Sequence, residues 1–430
     1  MNLLPVIDTP KEGIEAERTA LEEWKAHWPL VLAALVGISF PSVASYSISF
    51  FIDPLGRDFG WTRTQISIGL SVYAFIVVPL SPVAGAVLDR WGSRKMALIA
   101  MLLSAVAFAA LGLTSGSMTM WIAQWAFYSL FALGLKTTVW TAAVSNAFHQ
   151  ARGMAIAVTL CGTAVSATFT PLLCNWLIDA FGWRIAYLGL GLGWGGFALV
   201  LIFFLFFEEG RLPGKVKGSK ESPVPARAEY TGLSFREAIK NRDILRIAAA
   251  MMITSMLGVA LVVHKVPLLA EMNISRGVAA QIAATAGVAS IAGKLVTGWF
   301  YDRYHSRWIG AFAFSLPAIG YPLLLTPFRS LELIVIAMII LGLCSGATMQ
   351  ANVYLTSRYG GMRNFGKIFG VMGSVVALAT GLGPILGGLI YDYFGSYSTF
   401  LAIGIVSGVL CGFLMIGLRP YPVWNRIAEG

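Results

Sequence analysis

Charged residues are scarce in this chain. They make up 12% of its 430 residues, whereas about one quarter of an average soluble protein is charged. Hydrophobic residues account for 57%, and they come in long blocks rather than in one core-sized patch. Because a helix needs about 20 apolar residues to cross a bilayer, this composition excludes an ordinary soluble domain. It predicts a polytopic membrane protein.

Cysteine and histidine are also rare, with four residues of each type. Cys161, Cys174, Cys344 and Cys411 all lie inside apolar blocks and form no CxxC pair. We therefore interpret them as small packing residues rather than disulfides or metal ligands. No nucleophile–base pair or phosphate-binding loop is recognisable in the sequence. We expect no metal, no cofactor and no enzymatic activity.

Apolar blocks long enough to span a bilayer recur between residues 28 and 418, and twelve can be counted. The fold class that they predict is an all-α membrane protein of twelve transmembrane helices. The predicted organisation is a cytoplasmic N-terminal segment (1–27), a first six-helix bundle (28–207), a cytoplasmic linker (208–244), a second six-helix bundle (245–418) and a cytoplasmic tail (419–430).

The net charge of +10 is unevenly distributed. With both termini placed in the cytoplasm, most Lys and Arg residues fall in the inner loops, as the positive-inside rule requires. This pattern predicts a multi-pass plasma (inner) membrane protein. Because the charges flank the spans, we expect them to contact the lipid bilayer surface rather than nucleic acid. The charged N-terminus has no leading apolar region, so we also expect no cleavable signal peptide.

An internal repeat connects the two halves of the sequence. Gly85, Asp89 and Arg90 recur as Gly298, Asp302 and Arg303 at a constant offset of 213. Other residues repeat at the same offset: Pro54 with Pro267, Arg63 with Arg276, Gly153 with Gly366, Pro171 with Pro384, Asp179 with Asp392, and Gly182 with Gly395. The offset predicts two copies of a six-helix unit in the same orientation, related by an axis along the membrane normal.

The stretch GAVLDRWGSRK, residues 85–95, resembles the loop 2–3 signature of the major facilitator superfamily. The resemblance extends over residues 28–418 and implies a transporter that acts by alternating access and functions as a monomer. In that family the signature is a conformational latch between the halves. Here it corresponds to Gly85, Asp89, Arg90 and Arg94 in the first half, and Gly298, Asp302 and Arg303 in the second. The alternative is that these charges only set the membrane topology.

A second stretch, YSISFFIDPLGRDFGWTRTQIS at residues 46–67, is similar to the first-span ending and outer loop of monocarboxylate transporters and oxalate–formate antiporters. This branch implies a small organic anion, a mono- or dicarboxylate, as substrate. The sequence departs from this branch at two positions. Ser290 occupies a position that is often acidic in proton-coupled members. The span at 368–392 lacks the central cation of the antiporters.

Charges inside the spans favour an anion independently. Lys136, His264, Lys265 and Lys294 lie within apolar blocks, and no Asp or Glu occupies the middle of any block. A cavity with cations and no anions attracts an anion. In the carboxylate-transporting branch the position of Lys294 carries a cation that contacts the substrate. A structural role, bonding a neighbouring helix, is the alternative for Lys294.

Other candidates carry two interpretations each. Lys136 either supplies a second positive charge to the cavity or extends towards the interface. We expect Lys265, near an outer end, to extend to the interface in this way. His264 is either a satisfied core residue or a gating or proton-linked group. The side chains of Tyr46, Gln350 and Asn352 either bind substrate or hold helices together.

We therefore predict a secondary active transporter of a small carboxylate, with protons as a second partner. Exchange of anions without protons is the first alternative. Export of drugs or other amphipathic compounds is a further one, although an exporter cavity more typically pairs aromatic residues with an acidic residue. A non-transporting membrane receptor or membrane enzyme is the remaining class.

Overall fold

The structure of the protein is a computed structural model, and it describes residues 19–148, 150–207, 231–304, 306–325, 330–361 and 363–422. The described chain is helical almost throughout. Its β-structure is confined to one isolated bridge between Gly232 and Gly361. Most of the predicted linker and the end of the predicted tail lie outside the described residues.

Eleven helical stretches in these ranges are long and apolar enough to cross a membrane. One of them, Arg152–Leu205, has 54 residues. It would be about 80 Å long if straight, far more than the ~30 Å of hydrocarbon. Gly182 breaks it with φ 82° and ψ 166°, a conformation that glycine adopts without steric cost. This stretch therefore crosses twice, and the predicted twelve-helix fold is confirmed.

We number the crossing helices in chain order. They are α1 (Ala20–Phe59), α2 (Arg63–Trp91), α3 (Ser93–Leu113), α4 (Met118–Ala147), α5 (152–181), α6 (183–205), α7 (Arg242–Glu271), α8 (Arg276–Tyr304), α9 (Arg307–Leu325), α10 (Leu331–Gly360), α11 (Phe365–Phe394) and α12 (Ser398–Ile416). The start of α1 and the end of α12 define what we call the terminal face. The opposite surface is the distal face.

The first helix begins earlier than its apolar block indicates. Thr19 accepts a hydrogen bond from the backbone N–H of Glu22, and the Glu22 carboxylate accepts one from Thr19, which forms a capping box. Buried Glu23 then accepts hydrogen bonds from the backbone N–H groups of Gln150 and Ala151, at the start of α5. Residues 20–27 are therefore part of α1, because polar contacts extend the helix beyond its apolar block.

The last part of the predicted linker is helical rather than flexible. Ser234 caps a short helix, Phe235–Lys240. The hydrogen bond between Ser234 and the Glu237 carboxylate keeps the pKa of Glu237 below its usual range. On the same face, Arg419 at the start of the tail pairs with Asp243 of α7 at 2.9 Å. The chain on either side of the second bundle is thus fastened to it.

The halves 28–207 and 245–418 meet through three helix pairs, α1 with α7, α2 with α11, and α5 with α8. Glycines allow close approach at two of these contacts. A Cβ atom at Gly388 of α11 would lie 2.7 Å from the backbone of Thr64 in α2. A Cβ atom at Gly287 of α8 would lie 2.9 Å from the backbone of Ala167 in α5. The Gly388 contact lies towards the distal face and the Gly287 contact lies near the middle of the helices, so the halves are packed together over the distal part of the protein.

Candidate functional site

A cavity of about 470 Å³ lies between the halves and extends into the second half. Its volume is typical of sites for small molecules. Helices α1 and α5 supply the wall from the first half, and α7 to α12 supply the rest. Among the described residues that line it, Lys265 is the single charged one. The cavity therefore combines one positive charge with a mainly apolar wall.

The wall supplied by α1 carries hydroxyl groups. Ser42, Ser45, Tyr46 and Ser49 line the cavity and share one face of the helix, because residues three and four positions apart are neighbours. Tyr46 was predicted to bind substrate, and the structure places it in this wall. The serines beside it were not singled out from the sequence, although their spacing indicates a polar stripe.

The wall supplied by α7 ends at Lys265. Thr254, Gly258 and Leu261 line the cavity between Lys265 and the terminal face. Their helical spacing places them with Lys265 on one stripe of α7. The side chain of Lys265 is buried, with 9% of its surface exposed. The expectation that Lys265 extends to the membrane interface is therefore wrong. The helix continues to Glu271, and the rotation of the chain directs Lys265 to the cavity.

The other predicted substrate-binding residues divide into two groups. Asn352 of α10 lines the cavity, and its side-chain oxygen accepts a hydrogen bond from Thr356 at 3.3 Å. Lys294, Lys136 and Gln350 do not line it. Lys294 instead follows the cavity-lining Ser290 by one turn of α8, towards the terminal face. The structure therefore places the predicted lysines outside the cavity described here.

Lys294, Lys136 and Gln350 lie at a similar depth. Lys294 is about 27 Å along α8 from Arg276, and Lys136 is the same number of residues beyond Met118 in α4. Gln350 lies one residue further along α10. Each half thus contributes a cation to this depth, which we call the mouth, and the cavity wall reaches the same depth at Asn352 and Val353.

The two mouth lysines differ in their contacts. The ammonium of Lys136 donates to the Ser81 hydroxyl at 2.5 Å. Its backbone, with φ −58° and ψ 154°, interrupts α4. Lys294 has no hydrogen-bond partner among the described residues, and it lies near Cys161 of the first half. Lys294 therefore faces the gap between the halves with its donors free.

His264 precedes Lys265 but faces a different environment. Its Nε2 lies 2.9 Å from the Pro384 carbonyl oxygen and 3.3 Å from the Ser67 hydroxyl, and its Nδ1 lies 2.9 Å from the Tyr397 hydroxyl. A carbonyl oxygen only accepts, so Nε2 carries the proton and donates to Pro384. In the neutral ring Nδ1 then accepts from Tyr397. Burial raises the pKa of Tyr397, which keeps its hydroxyl protonated for this role.

The contact of His264 with Ser67 joins the two halves, since Ser67 belongs to α2. The imidazole is fully buried, and both of its nitrogens have partners. The geometry is compatible with the satisfied core histidine and with the gating group that the sequence left open.

Two further contacts join the halves at the distal face. The Asp392 carboxylate accepts hydrogen bonds from the backbone N–H groups of Arg63 and Thr64, at 3.2 and 3.1 Å, where α2 begins. Arg276, where α8 begins, pairs with Asp179 of α5 and donates to Asn175 at 3.1 Å. We call these two contacts the distal latches.

The distal latches are related by the repeat. Arg63 corresponds to Arg276, and Asp392 corresponds to Asp179, at the offset of 213. Each latch therefore joins the start of one helix in one half to the end of a helix in the other. These residues are recognisable in the sequence as repeat partners but had no predicted role, because an offset does not say which residues touch.

The predicted latch residues of the signature lie at the terminal face. Asp89, Arg90, Asp302 and Arg303 are exposed, and the described contacts include none between these residues and the opposite half. Arg94 donates to the Phe203 carbonyl at 2.9 Å, within the first half. Gly85 has open space around it, and Gly298 lies nearest to Gln350 of its own half. The halves are thus apart at the terminal face and closed at the distal face.

Comparison with known protein families identifies the family of this chain. The family model described as Major Facilitator Superfamily matches residues 32–269 and 247–430. The chain belongs to the Major Facilitator Superfamily. Members of this superfamily are membrane transporters rather than enzymes, so the protein is a multi-pass membrane transporter of this superfamily.

Individual relatives are distant but extend over much of the chain. Monocarboxylate transporter 11 of Homo sapiens is 25% identical over 415 residues, which cover 89% of this chain and 78% of the relative. Monocarboxylate transporter 12 of Mus musculus is 25% identical, with coverage of 66% and 65%. These matches, at 25% identity, confirm the resemblance to monocarboxylate transporters found in the sequence.

A solved structure supports the fold. The crystal structure of a D-xylose–proton symporter matches with a TM-score of 0.71 at 14% identity, covering 92% of this chain and 98% of that one. At this identity the match shows the major facilitator fold alone.

Proposed function

We propose that the protein transports a small organic anion with a carboxylate group across the membrane by alternating access. The observation that carries this proposal is the charge of the cavity. Its described lining contains a lysine and no acidic residue, so an anion is attracted and a cation is repelled. The similarity to proteins named monocarboxylate transporters supports the same substrate class.

In this proposal the substrate passes the mouth lysines on its way into the cavity. Lys294, with free donors, and Lys136 attract the carboxylate from the terminal face, and Gln350 offers a further hydrogen bond. The cavity then holds the substrate with Tyr46 and Asn352. Lysine binds the anion as a point charge, which tolerates different carboxylate orientations.

The conformational cycle exchanges one set of contacts for another. In the present state the distal latches are formed and the signature residues are apart. Rocking of the halves breaks the distal latches and brings Asp89 and Arg90 against the opposite half, where they act as the latch of the other state. A substrate shifts this equilibrium only by binding one state more tightly than the other.

We assign the terminal face to the cytoplasm and the protein to the plasma (inner) membrane. Support comes from the basic residues of the terminal-face loops, which the positive-inside rule places in the cytoplasm.

We further propose that transport is linked to protons through His264. Support comes from its position across the halves. A proton on Nδ1 would require the Tyr397 hydroxyl to accept instead of donate, which rearranges the network that holds α2 against the second half. Proton uptake would thereby change the stability of the distal closure.

The test is uptake into proteoliposomes that contain the purified protein. Labelled pyruvate, lactate, benzoate and oxalate are supplied with and without an imposed proton gradient, and ethidium serves as a cationic amphipathic compound. We expect saturable uptake of at least one carboxylate and none of ethidium. Transport of ethidium with no transport of any of the acids would contradict the proposal and favour the exporter.

A further inference from the structure

We propose that Lys265 is the residue that binds the substrate carboxylate inside the cavity, and that the transported species is a monoanion. This inference rests on the proposed function and adds a binding site deeper than the predicted lysine, Lys294. It starts from a buried ammonium without a partner. Only 9% of the surface of Lys265 is exposed. Even so, no hydrogen bond or ion pair holds its ammonium within the described chain.

An unpaired ammonium in a membrane protein is costly, and it normally faces a water-filled cavity or a partner. Lys265 lines the cavity, and its ammonium is not among the polar atoms sealed inside the protein without a partner. The charge therefore opens onto the cavity, where a carboxylate supplies the missing partner. Because the described lining contributes one positive charge and no negative charge, a single negative charge on the substrate gives neutrality.

Hydroxyl groups from the opposite half complete the site. The Ser49 hydroxyl accepts a hydrogen bond from the backbone N–H of Val266, at 2.8 Å, which holds α1 against α7 beside Lys265. Its own proton remains available for a second acceptor. Tyr46, one turn away on α1, has no described partner and lines the same cavity. A carboxylate here receives donors from both halves and stabilises their contact.

The backbones of Lys265 and Lys294 lie at different depths. Lys265 lies about 9 Å before the end of α7, and Lys294 lies about 27 Å after the start of α8, at ~1.5 Å per residue. Both positions are measured from the distal face, so their backbones differ in depth by roughly 18 Å. A monocarboxylate such as pyruvate is much shorter than this. In the proposal the two lysines act in succession, Lys294 at the mouth and Lys265 inside.

The experiment measures binding to purified protein in detergent and uptake into proteoliposomes for Lys265→Met, Lys265→Arg and wild type. The probes are pyruvate, lactate and benzoate as monoanions, oxalate as a dianion and benzamide as a neutral relative of benzoate. Lys240→Met, which removes an exposed lysine on the short helix, is the matched control. Thermal unfolding of each variant is recorded with and without the bound acid.

We expect Lys265→Met to weaken binding of the transported acid at least tenfold and to abolish its thermal stabilisation. Its Tm without ligand should equal or exceed that of wild type, because the substitution removes an unpaired buried charge. Lys265→Arg should retain part of the affinity, and Lys240→Met should match wild type. Benzamide should not compete.

Two results overturn the inference while the proposed function stands. One is a transporting wild type whose Lys265→Met variant binds the same acid within twofold. The other is oxalate binding more tightly than the monoanions. If Lys265→Met fails to fold, unchanged affinity in Lys265→Arg together with equal binding of benzamide and benzoate overturns it instead. A wild type that transports none of the acids overturns the proposed function and the inference together.

Discussion

The distal latches should set the balance between the two open states, and removing them should shift that balance measurably. The perturbation is the double substitution Asp392→Ala with Asp179→Asn. Asp392 accepts two backbone hydrogen bonds at the start of α2, at 3.2 and 3.1 Å. Asp179 pairs with Arg276 of α8. Both contacts join the halves, so they stabilise the distal-closed state alone.

The magnitude follows from the exposure of each contact. Loss of a side chain that caps a helix start costs about 0.5–2 kcal/mol. The Asp179 and Arg276 side chains are 54% and 32% exposed, so their pair is screened and contributes about 0.2–1 kcal/mol. Together the substitutions should disfavour the closed state by about 0.7–3 kcal/mol. That corresponds to a roughly 3- to 160-fold increase in the ratio of distal-open to distal-closed molecules.

The assay is double electron–electron resonance between spin labels on opposite halves. Ser115 and Glu332 are exposed near the distal face, and cysteines there can be labelled in a background with the exposed Cys161 replaced by serine. The double substitution should increase the population at longer distances.

Asp58 provides the matched control for this experiment. It pairs with Arg184 at 3.2 Å, and both residues belong to the first half. Asp58→Asn therefore removes a comparable exposed ion pair without affecting contact between the halves. If the distance distribution is the same in wild type, control and double substitution, the distal latches do not hold the closed state.

Substitutions at three further positions test the proposed cycle. Lys294→Ala should abolish carboxylate uptake with folded protein still in the membrane, and Lys294→Arg should keep part of the binding because the charge persists; uptake at the wild-type rate in Lys294→Ala would remove it from the path. Asp89→Asn should lower turnover by several-fold while substrate affinity survives, since it acts in the other state; lost affinity with unchanged exchange kinetics would place Asp89 in the site. His264→Gln should abolish stimulation of uptake by an inward proton gradient but spare counterflow exchange, and undiminished stimulation would exclude this histidine from coupling.

Part of the candidate site could be predicted from residue type and from position within an apolar block. Tyr46 and Asn352 were predicted as substrate contacts and line the cavity. An aromatic hydroxyl or an amide in an apolar block is conspicuous, and in these two cases the helix turns it inward. Lys294 was predicted to contact the substrate, but it does not line the described cavity and lies at the mouth.

The cavity lysine is the residue that the sequence misjudged. His264 and Lys265 are adjacent, so their side chains differ by about 100° around α7. One faces α2 and α11, and the other faces the cavity. The residues around them are apolar on every side of the helix, because lipid and protein interior have similar polarity. Hydropathy therefore contains no signal that distinguishes these directions.

The amino-acid sequence by itself determined the number of spans, the repeat and the presence of lysines within the spans. Bilayer thickness sets the length of an apolar block, and a duplicated unit preserves the spacing of its residues. The spans and the repeat can therefore be recognised from the order of residues alone. Only the tertiary structure decided that Arg63 meets Asp392 and Arg276 meets Asp179 across the halves. It also decided which lysine enters the cavity. These features depend on helix rotation and on contacts between distant segments, and both are determined when the two halves pack together.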